Sequence, residues 1–237
     1  GCLGQVYLTL DTGNMRHAEL IAGILNRHQV RATFFLANEA TDGGDTSLAP
    51  RWDGFWRARV GEGHAFGSHT FDHVYFSAAV GTGGDAVRVA ARPQFGAGAG
   101  RSAVWRRDDV CTEIERVDSR FRAITGRPLD RFWRAPGGRG PRPLFDMAQS
   151  CGWRHVGWSP AGFLGDELPS DRYPNDRLLA RSLASIRSGD ILMAHLGIWS
   201  RKEPYAPTLD ALIAGLKRRG LCFATIPEHP DPRGAAG

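Results

Sequence analysis

The chain has 237 residues, of which 42% are hydrophobic and 23% are charged, and its formal net charge is +5. These values are ordinary for a soluble globular protein, and the length suits one domain with a full core. No apolar run approaches the roughly 18 to 20 residues that span a bilayer. The arginines are spread along the chain rather than clustered with aromatic residues, which argues against nucleic-acid binding. We therefore predict a single domain over residues 1–237.

The cysteines and the first residues say little about the compartment. No two of Cys2, Cys111, Cys151 and Cys222 have CxxC spacing, so neither a thiolate zinc site nor a thioredoxin-type motif is expected. Their separations are long and irregular, and we expect most of them to be buried free thiols. Residues 1–5 lack the charged and apolar regions of a signal peptide. We favour the cell envelope or secretion, and the sequence leaves a cytoplasmic location open.

In the first part of the chain, short apolar segments alternate with amphipathic ones. Residues 6–10 predict a buried strand that ends in a turn-rich run. A helix with one apolar face is predicted at 17–28, and residues 32–37 are apolar enough for a strand covered on both sides. A helix at 52–60 and a short strand at 65–67 follow.

Residues 81–103 differ in character, because glycine, alanine and arginine dominate and no clear periodicity is visible. We expect a long loop or insertion there. Beyond it, helices are predicted at 108–124, 144–150, 176–187 and 209–219, and strands at 155–158, 190–194 and 221–225, with a further strand ending near residue 134. Repeated strand-then-helix units imply a parallel sheet with right-handed crossovers, either open or closed into a barrel.

The segment His69-Thr70-Phe71-Asp72-His73 places two imidazoles four residues apart. Residues with this spacing share one face of a helical turn, so we expect both rings to converge on one metal ion. An HxxxH pair alone is a moderate indication of a metal site. Its weight depends on other motifs elsewhere in the chain.

Other candidate residues also follow predicted strands. Asp11 follows the first strand, Arg134 stands at a strand end, and His195 follows residues 190–194. In parallel α/β folds, functional groups gather at the carboxyl ends of the strands. A carboxylate, two imidazoles at metal spacing, a guanidinium and a further imidazole at one edge are able to carry out metal-assisted hydrolysis.

The ordered set of these motifs resembles the polysaccharide deacetylase family, over residues 6–226. Thr9-Leu10-Asp11-Thr12-Gly13 is similar to the family's first motif, T-F-D-D-G. The histidine segment matches the second motif, H-[S/T]-x-x-H. Arg134-Ala135-Pro136-Gly137-Gly138 is similar to the third, R-x-P-[F/Y]-G, with Gly137 where an aromatic residue is usual, and Leu192-Met193-Ala194-His195 fits the last, L-x-x-H.

The resemblance implies a distorted parallel (β/α) barrel and a role for each matched residue. Asp11 corresponds to the general base, and Arg134 to the arginine that orients it. His69 and His73 correspond to ligands of one divalent metal ion, most often Zn²⁺, with Co²⁺ and Ni²⁺ as alternatives. His195 corresponds to the acid that protonates the departing amine.

Two positions depart from the family pattern. Thr12 replaces the second aspartate of the first motif, which normally provides the third metal ligand. The fourth motif normally has an aspartate that supports the catalytic histidine, but residues 158–162 contain no acid, and Asp166 is too displaced to be equated with it. Without a carboxylate partner, we expect the pKa of His195 to be lowered.

A neutral threonine hydroxyl is a poor ligand, so Thr12 is expected to weaken metal binding. We hypothesise that Asp11 or an additional water completes the coordination sphere, with Asp72 as a less favoured alternative. If Asp11 binds the metal directly, it is less available as the base.

The leading interpretation is a metal-dependent hydrolase that removes an N-acyl group from an amino sugar or glycan. One alternative is a degenerate homologue that binds a glycan without turnover, and another is a deacylase of a small non-sugar amide. Most of the aromatic residues are expected in the core. Trp158 and Trp199 follow predicted strands and are the candidates for walls of a substrate groove.

Overall fold

The structure of the protein is a computed structural model that describes residues 1–81, 83 and 86–232. Its ten strands are β1 (Gly4–Asp11), β2 (Thr33–Leu36), β3 (Ala65–Ser68), β4 (Val74–Val80), β5 (Arg88–Pro93), β6 (Ala103–Trp105), β7 (Phe132–Trp133), β8 (Arg154–His155), β9 (Ile191–His195) and β10 (Leu221–Phe223). Its six α-helices are α1 (Ala18–Arg27), α2 (Asp53–Gly61), α3 (Arg107–Thr125), α4 (Arg142–Ser150), α5 (Asn175–Ser185) and α6 (Thr208–Arg218).

Seven strands form a curled parallel sheet, in the order β10-β1-β2-β3-β7-β8. The remaining strand, β9, pairs with residues 7–11 of β1. The open side between β8 and β9 is bridged by residues 159–164. There the Ser159 N–H donates to the Ile191 carbonyl oxygen at 3.0 Å, and Phe163 forms a parallel bridge with Met193. The α/β fold with a distorted parallel barrel that was predicted from the sequence is confirmed, and the barrel is partly closed.

The side chains of β1 alternate between two layers, as the pleat of a strand requires. Val6, Leu8 and Leu10 lie in the large apolar core that the helices share. Tyr7 belongs to a second, smaller cluster that fills the inside of the curled sheet. Asp11 is an even number of residues from Tyr7, so its side chain points into the inside of the barrel at the carboxyl end of the strand.

The expectation of a long loop at 81–103 was wrong for Arg88–Pro93, which form β5, and for residue 103, where β6 begins. Strands β4, β5 and β6 form a separate three-stranded antiparallel sheet. Residues of β5 alternate between more and less exposed positions. Because its buried side chains are as small as Val89 and Ala91, the alternation of hydrophobic and polar residues is weak in the sequence. Residues 82, 84 and 85 of the predicted loop lie outside the described residues, and its status as an insertion stays a prediction.

The expectation that most cysteines are free thiols was also wrong. Cys2 pairs with Cys222 and Cys111 pairs with Cys151, with Cα–Cα distances of 5.7 and 6.3 Å. Cys2 precedes β1 and Cys222 lies on its parallel neighbour β10, so the fold brings together two residues 220 positions apart. Among the described helices, none has both the length and the apolar character that a membrane span needs.

Candidate active site

Asp11 is paired with a wholly buried arginine at the centre of the barrel mouth. Arg134, directly after β7, donates from one terminal nitrogen to Asp11 Oδ1 at 2.9 Å and to Thr9 Oγ1 at 2.8 Å. Its remaining nitrogens donate to the carbonyl oxygens of Val156 and Gly157 at 3.0 and 2.7 Å. Every nitrogen of the guanidinium thus has an acceptor, which fixes it in one orientation.

The environment of Asp11 favours its ionised form. Burial by itself would raise the pKa of this carboxyl group, but the nearby His69 and Arg134 hold the pKa below its usual value. The second carboxylate oxygen, Oδ2, lies 3.5 Å from His69 Nε2. One oxygen of Asp11 therefore accepts from Arg134, and the other faces His69.

His69 and His73 lie on a tight turn between β3 and β4, so the expectation of a helical turn was wrong. Thr70 and His73 both adopt left-handed backbone conformations, with φ of 62° and 49°. The turn nevertheless brings the two rings together, with centroids 4.9 Å apart and an interplanar angle of 78°.

The hydrogen bonds of His69 define its tautomer. Its Nδ1 is 2.8 Å from the carbonyl oxygen of Arg134, which can only accept, so the proton is on Nδ1 and the lone pair is on Nε2. Burial lowers the pKa of both imidazoles, and with the neighbouring His69 it lowers the pKa of His73 to about 3. Two neutral imidazoles are the form in which histidine binds metals.

Glu39 is a site residue that no sequence motif indicated. It follows β2 by three residues and is 7% exposed. Its Oε2 accepts hydrogen bonds from the Thr12 hydroxyl and from the Gly13 N–H at 2.9 Å, while its Oε1 lies 3.9 Å from His73 Nε2. Burial raises its pKa to about 7, against the opposing effect of the Thr12 hydrogen bond. A carboxylate two residues after the strand predicted at 32–37 was the signal available in the sequence.

His195 has a carboxylate partner, contrary to the expectation from the sequence. Both oxygens of Asp166 lie 3.2 Å from its Nδ1, and one of them also accepts the His195 backbone N–H at 2.7 Å. The loop after residue 162 folds back onto β9, so distance along the sequence was a poor guide. Although burial alone favours the neutral ring, Asp166 and then Asp11 and Glu167 raise the pKa of His195 to about 10.

Asp72, the less favoured candidate for the third metal ligand, faces away from the imidazoles. One of its oxygens accepts from Arg116 at 3.0 Å, and its backbone N–H donates to Glu113 at 2.6 Å. The alternative in which Asp11 or a water completes the coordination sphere stays a prediction.

The two tryptophans proposed as groove walls differ in their surroundings. Trp158 is half-buried and stacks against the Arg134 guanidinium, 5.3 Å from its ring centroid. Trp199 is 62% exposed. A third aromatic, Tyr75, is 45% exposed, its ring lies 5.1 Å from that of His73, and it stands beside the position of Gly137, where the family usually has an aromatic residue. Substrate binding by these rings stays a prediction.

The donor chemistry at this edge fits a borderline divalent ion such as Zn²⁺, which takes imidazole nitrogens and carboxylate oxygens. His69, His73 and one carboxylate would hold it. Within the described residues, no group of three or more His, Cys, Asp or Glu side chains is already close enough to enclose an ion. The side chains must therefore draw together when an ion binds.

A parallel α/β barrel with a carboxylate–arginine pair, a carboxylate–histidine pair and two further imidazoles at the carboxyl edge of its strands has the architecture of a barrel hydrolase. Residues 3–156 match the family model for polysaccharide deacetylases. The chain belongs to the polysaccharide deacetylase family.

Individual relatives agree with this assignment. A chitooligosaccharide deacetylase of Azorhizobium caulinodans is 25% identical over 234 residues, covering 94% of this chain and 93% of the relative. A cobalt-bound family 4 acetyl xylan esterase of Clostridium thermocellum has a similar fold, with a TM-score of 0.67, 20% identity and coverage of 94% of this chain and 89% of that one. A family 4 pseudoenzyme of Bacillus anthracis has a TM-score of 0.68 and 20% identity, with coverage of 97% and 66%.

Proposed function

We propose that the protein is a metal-dependent hydrolase that removes an N-acyl group, in the first place acetyl, from an amino sugar or glycan. The observation that carries the proposal is the position of Asp11. Its carboxylate is held by Arg134 at 2.9 Å and faces the lone pair of His69 at 3.5 Å. His195, its direct partner on the neighbouring strand, carries a proton to the same edge.

Each residue of the chain has a distinct task in this reaction. When bound, a divalent ion supplies Lewis-acid polarisation of the acyl carbonyl and increases the acidity of water. Asp11 accepts the proton of the attacking water, and Arg134 keeps this carboxylate ionised and oriented. His195 donates its proton to the amine nitrogen as the carbon–nitrogen bond breaks, and Asp166 keeps the ring protonated until that point.

The choice of metal and substrate follows from the donor set and from the relatives. Two imidazoles with a carboxylate favour Zn²⁺, and Co²⁺ or Ni²⁺ suit the same ligands; the cobalt-bound structural neighbour supports this choice. The chitooligosaccharide deacetylase relative supports an N-acetylated amino-sugar oligomer as substrate. Two disulfides support secretion or the cell envelope as the location, because such bonds persist in oxidising compartments.

The test is acetate release from N-acetylated chitooligosaccharides by chelator-treated protein with Zn²⁺, Co²⁺ or Ni²⁺ added back. We expect release that depends on the ion and falls about 10²–10⁴-fold in Asp11→Asn. Asp118→Asn is the matched control, because Asp118 is a buried carboxylate on α3 that binds Leu129 and Arg122 away from the site.

A glycan-binding protein without turnover is the second candidate. The replacement of a ligand by Thr12 and the fold similarity to a pseudoenzyme favour it. Measurable glycan affinity without acetate release under any metal would establish this alternative. Release only from small N-acyl amides would instead identify a deacylase of non-sugar substrates.

A further inference from the structure

We propose that Glu39 is the third metal ligand of this protein and replaces the carboxylate that is absent at position 12. The ligand set would then be His69, His73 and Glu39. The inference rests on the proposed function only in assuming that a divalent ion binds at this edge.

The contacts of Glu39 leave one oxygen available for an ion. Within the described residues, both hydrogen bonds that its carboxylate accepts, from the Thr12 hydroxyl and the Gly13 N–H, fall on Oε2. The other oxygen, Oε1, is the one that faces His73 Nε2 at 3.9 Å. A carboxylate held through one oxygen and open at the other is arranged as a monodentate ligand.

One donor–donor distance is close to that of a tetrahedral site. With bonds of about 2.0–2.1 Å, two donors on one Zn²⁺ are about 3.4 Å apart. Glu39 Oε1 lies 3.9 Å from His73 Nε2, so this pair needs to contract by about half an ångström. Since no three such side chains of the described residues are already close enough to enclose an ion, His69, whose ring lies 4.9 Å from that of His73, would complete the set by moving with them.

The backbone around Glu39 is fixed in a way that directs its side chain inward. Its N–H donates to Ser47 Oγ at 3.0 Å, and its carbonyl oxygen accepts the Ser47 N–H at 2.9 Å. The Ser47 hydroxyl in turn donates to the Ala37 carbonyl oxygen, so the segment after β2 is held on both sides of Glu39. A ligand on such a braced segment loses little conformational entropy when the ion binds.

The charge balance at Glu39 also points to a cation. In the described part of the chain, the ion-pair contact of its carboxylate within 4.0 Å is with the buried imidazole of His73, and no arginine or lysine lies within that distance. Buried carboxylates ordinarily pair with a cation or a metal, because the loss of hydration is costly. Asp11, by contrast, already has Arg134.

The contacts of Thr12 allow a carboxylate at position 39 to take the place of one at position 12. An aspartate at position 12 would occupy the space into which Thr12 now projects its hydroxyl, and would repel Glu39. Threonine instead donates to the Glu39 carboxylate and accepts the Ala37 N–H at 3.2 Å. Compared with the family pattern, the carboxylate ligand would come from the segment after β2 instead of from the end of the adjacent strand β1.

The test measures Zn²⁺ affinity of the chelator-treated full chain by calorimetry, with Glu39→Gln against wild type and Asp118→Asn as the control. We expect Glu39→Gln to lose at least tenfold in affinity, with Asp118→Asn within twofold of wild type. Thr12→Asp combined with Glu39→Gln should recover most of the loss, because it restores a carboxylate on the other strand.

A second readout guards against a folding defect. The Co²⁺-loaded protein should change its visible absorption spectrum in Glu39→Gln, and the thermal unfolding of the metal-free variant should match or exceed that of the wild type. Unchanged Zn²⁺ affinity and an unchanged Co²⁺ spectrum in Glu39→Gln would overturn the inference. Glu39-dependent metal binding without acetate release would leave the inference standing and refute the proposed deacylase function.

Discussion

The candidate site has two halves that differ in how their charges are balanced. In the proposed acid–base half, Asp11 is paired with Arg134, and His195 is paired with Asp166. In the proposed metal-binding half, the Glu39 carboxylate faces His73 and is supported by hydrogen bonds from Thr12 and Gly13. The proposed acid–base half therefore has a partner for each charge in the free protein, whereas in the proposed metal-binding half no arginine or lysine of the described residues pairs with Glu39.

This difference separates the effects of mutations. Changes in the acid–base half should alter turnover, pH dependence or folding with little effect on metal affinity. Changes in the metal-binding half should alter metal affinity first, and turnover only as a consequence.

The largest effect is expected for Asp11→Asn. The amide cannot accept a proton from water, so acetate release should fall about 10²–10⁴-fold. Zn²⁺ affinity, measured by calorimetry, should stay within a few-fold of wild type if Asp11 acts as the base alone. A loss of Zn²⁺ affinity as large as the loss of activity would show that Asp11 is itself a ligand. The two halves would then not be separable by mutation.

Arg134→Leu should damage folding most. It removes the guanidinium from a wholly buried site and leaves the Asp11 carboxylate without its cation. Breaking a buried ion pair in this way costs about 3–5 kcal/mol, measured as the free energy of unfolding in urea at neutral pH. In the double variant with Asp11→Asn, part of that loss should be recovered, since no charge remains to be buried. Equal losses of unfolding free energy in the single and double variants would contradict a stabilising ion pair between Asp11 and Arg134.

Thr12→Val tests the metal-binding half without touching a ligand. It removes the hydroxyl that holds Glu39 Oε2, and outer contacts of this kind contribute about 10–100-fold to metal affinity. Zn²⁺ affinity should fall by an amount in that range, and Thr12→Ser, which keeps the hydroxyl, should stay near wild type. If Thr12→Val binds Zn²⁺ as wild type does, Glu39 needs no support from position 12.

Much of the fold and part of the site could be predicted from the sequence. The parallel strands are short, strongly apolar runs such as 32–37, and Asp11, Arg134 and His195 stand where such runs end. Strand β5 was missed because its buried side chains are as small as Val89 and Ala91 and arginines stand at both ends of the run. The free-thiol expectation failed because the pairing of Cys2 with Cys222 depends on strand order, which spacing along the chain does not reveal.

The two missed carboxylates share a physical cause. Glu39 meets Thr12 across 27 residues, and Asp166 meets His195 across 29, and in both cases the contact forms only when two loops meet at the barrel mouth. Local patterns report which face a residue occupies, but they do not report its partner on another strand. Both missed residues are acids at the end of a buried segment, and each supplies a charge that the recognised motifs lack.

The smallest effect is expected for Asp166→Asn, and it appears as a pH shift. Asp166 raises the pKa of His195 to about 10, so the imidazolium persists through neutral and mildly alkaline pH. Without that carboxylate the pKa falls toward the ordinary value of about 6.5, although Asp11 and Glu167 still face the ring. The alkaline limb of kcat should therefore move to lower pH, with a loss of a few-fold near pH 8 and less near pH 6.

The same coupling affects stability with a defined sign. Because the folded-state pKa of His195 is raised, its stabilising contribution is fully present below about pH 6.5 and is lost as the pH rises through about 10. Asp166→Asn should flatten this dependence in urea unfolding between those pH values, while Zn²⁺ affinity stays near wild type. An alkaline limb unmoved by Asp166→Asn would mean that a group other than His195 protonates the leaving amine.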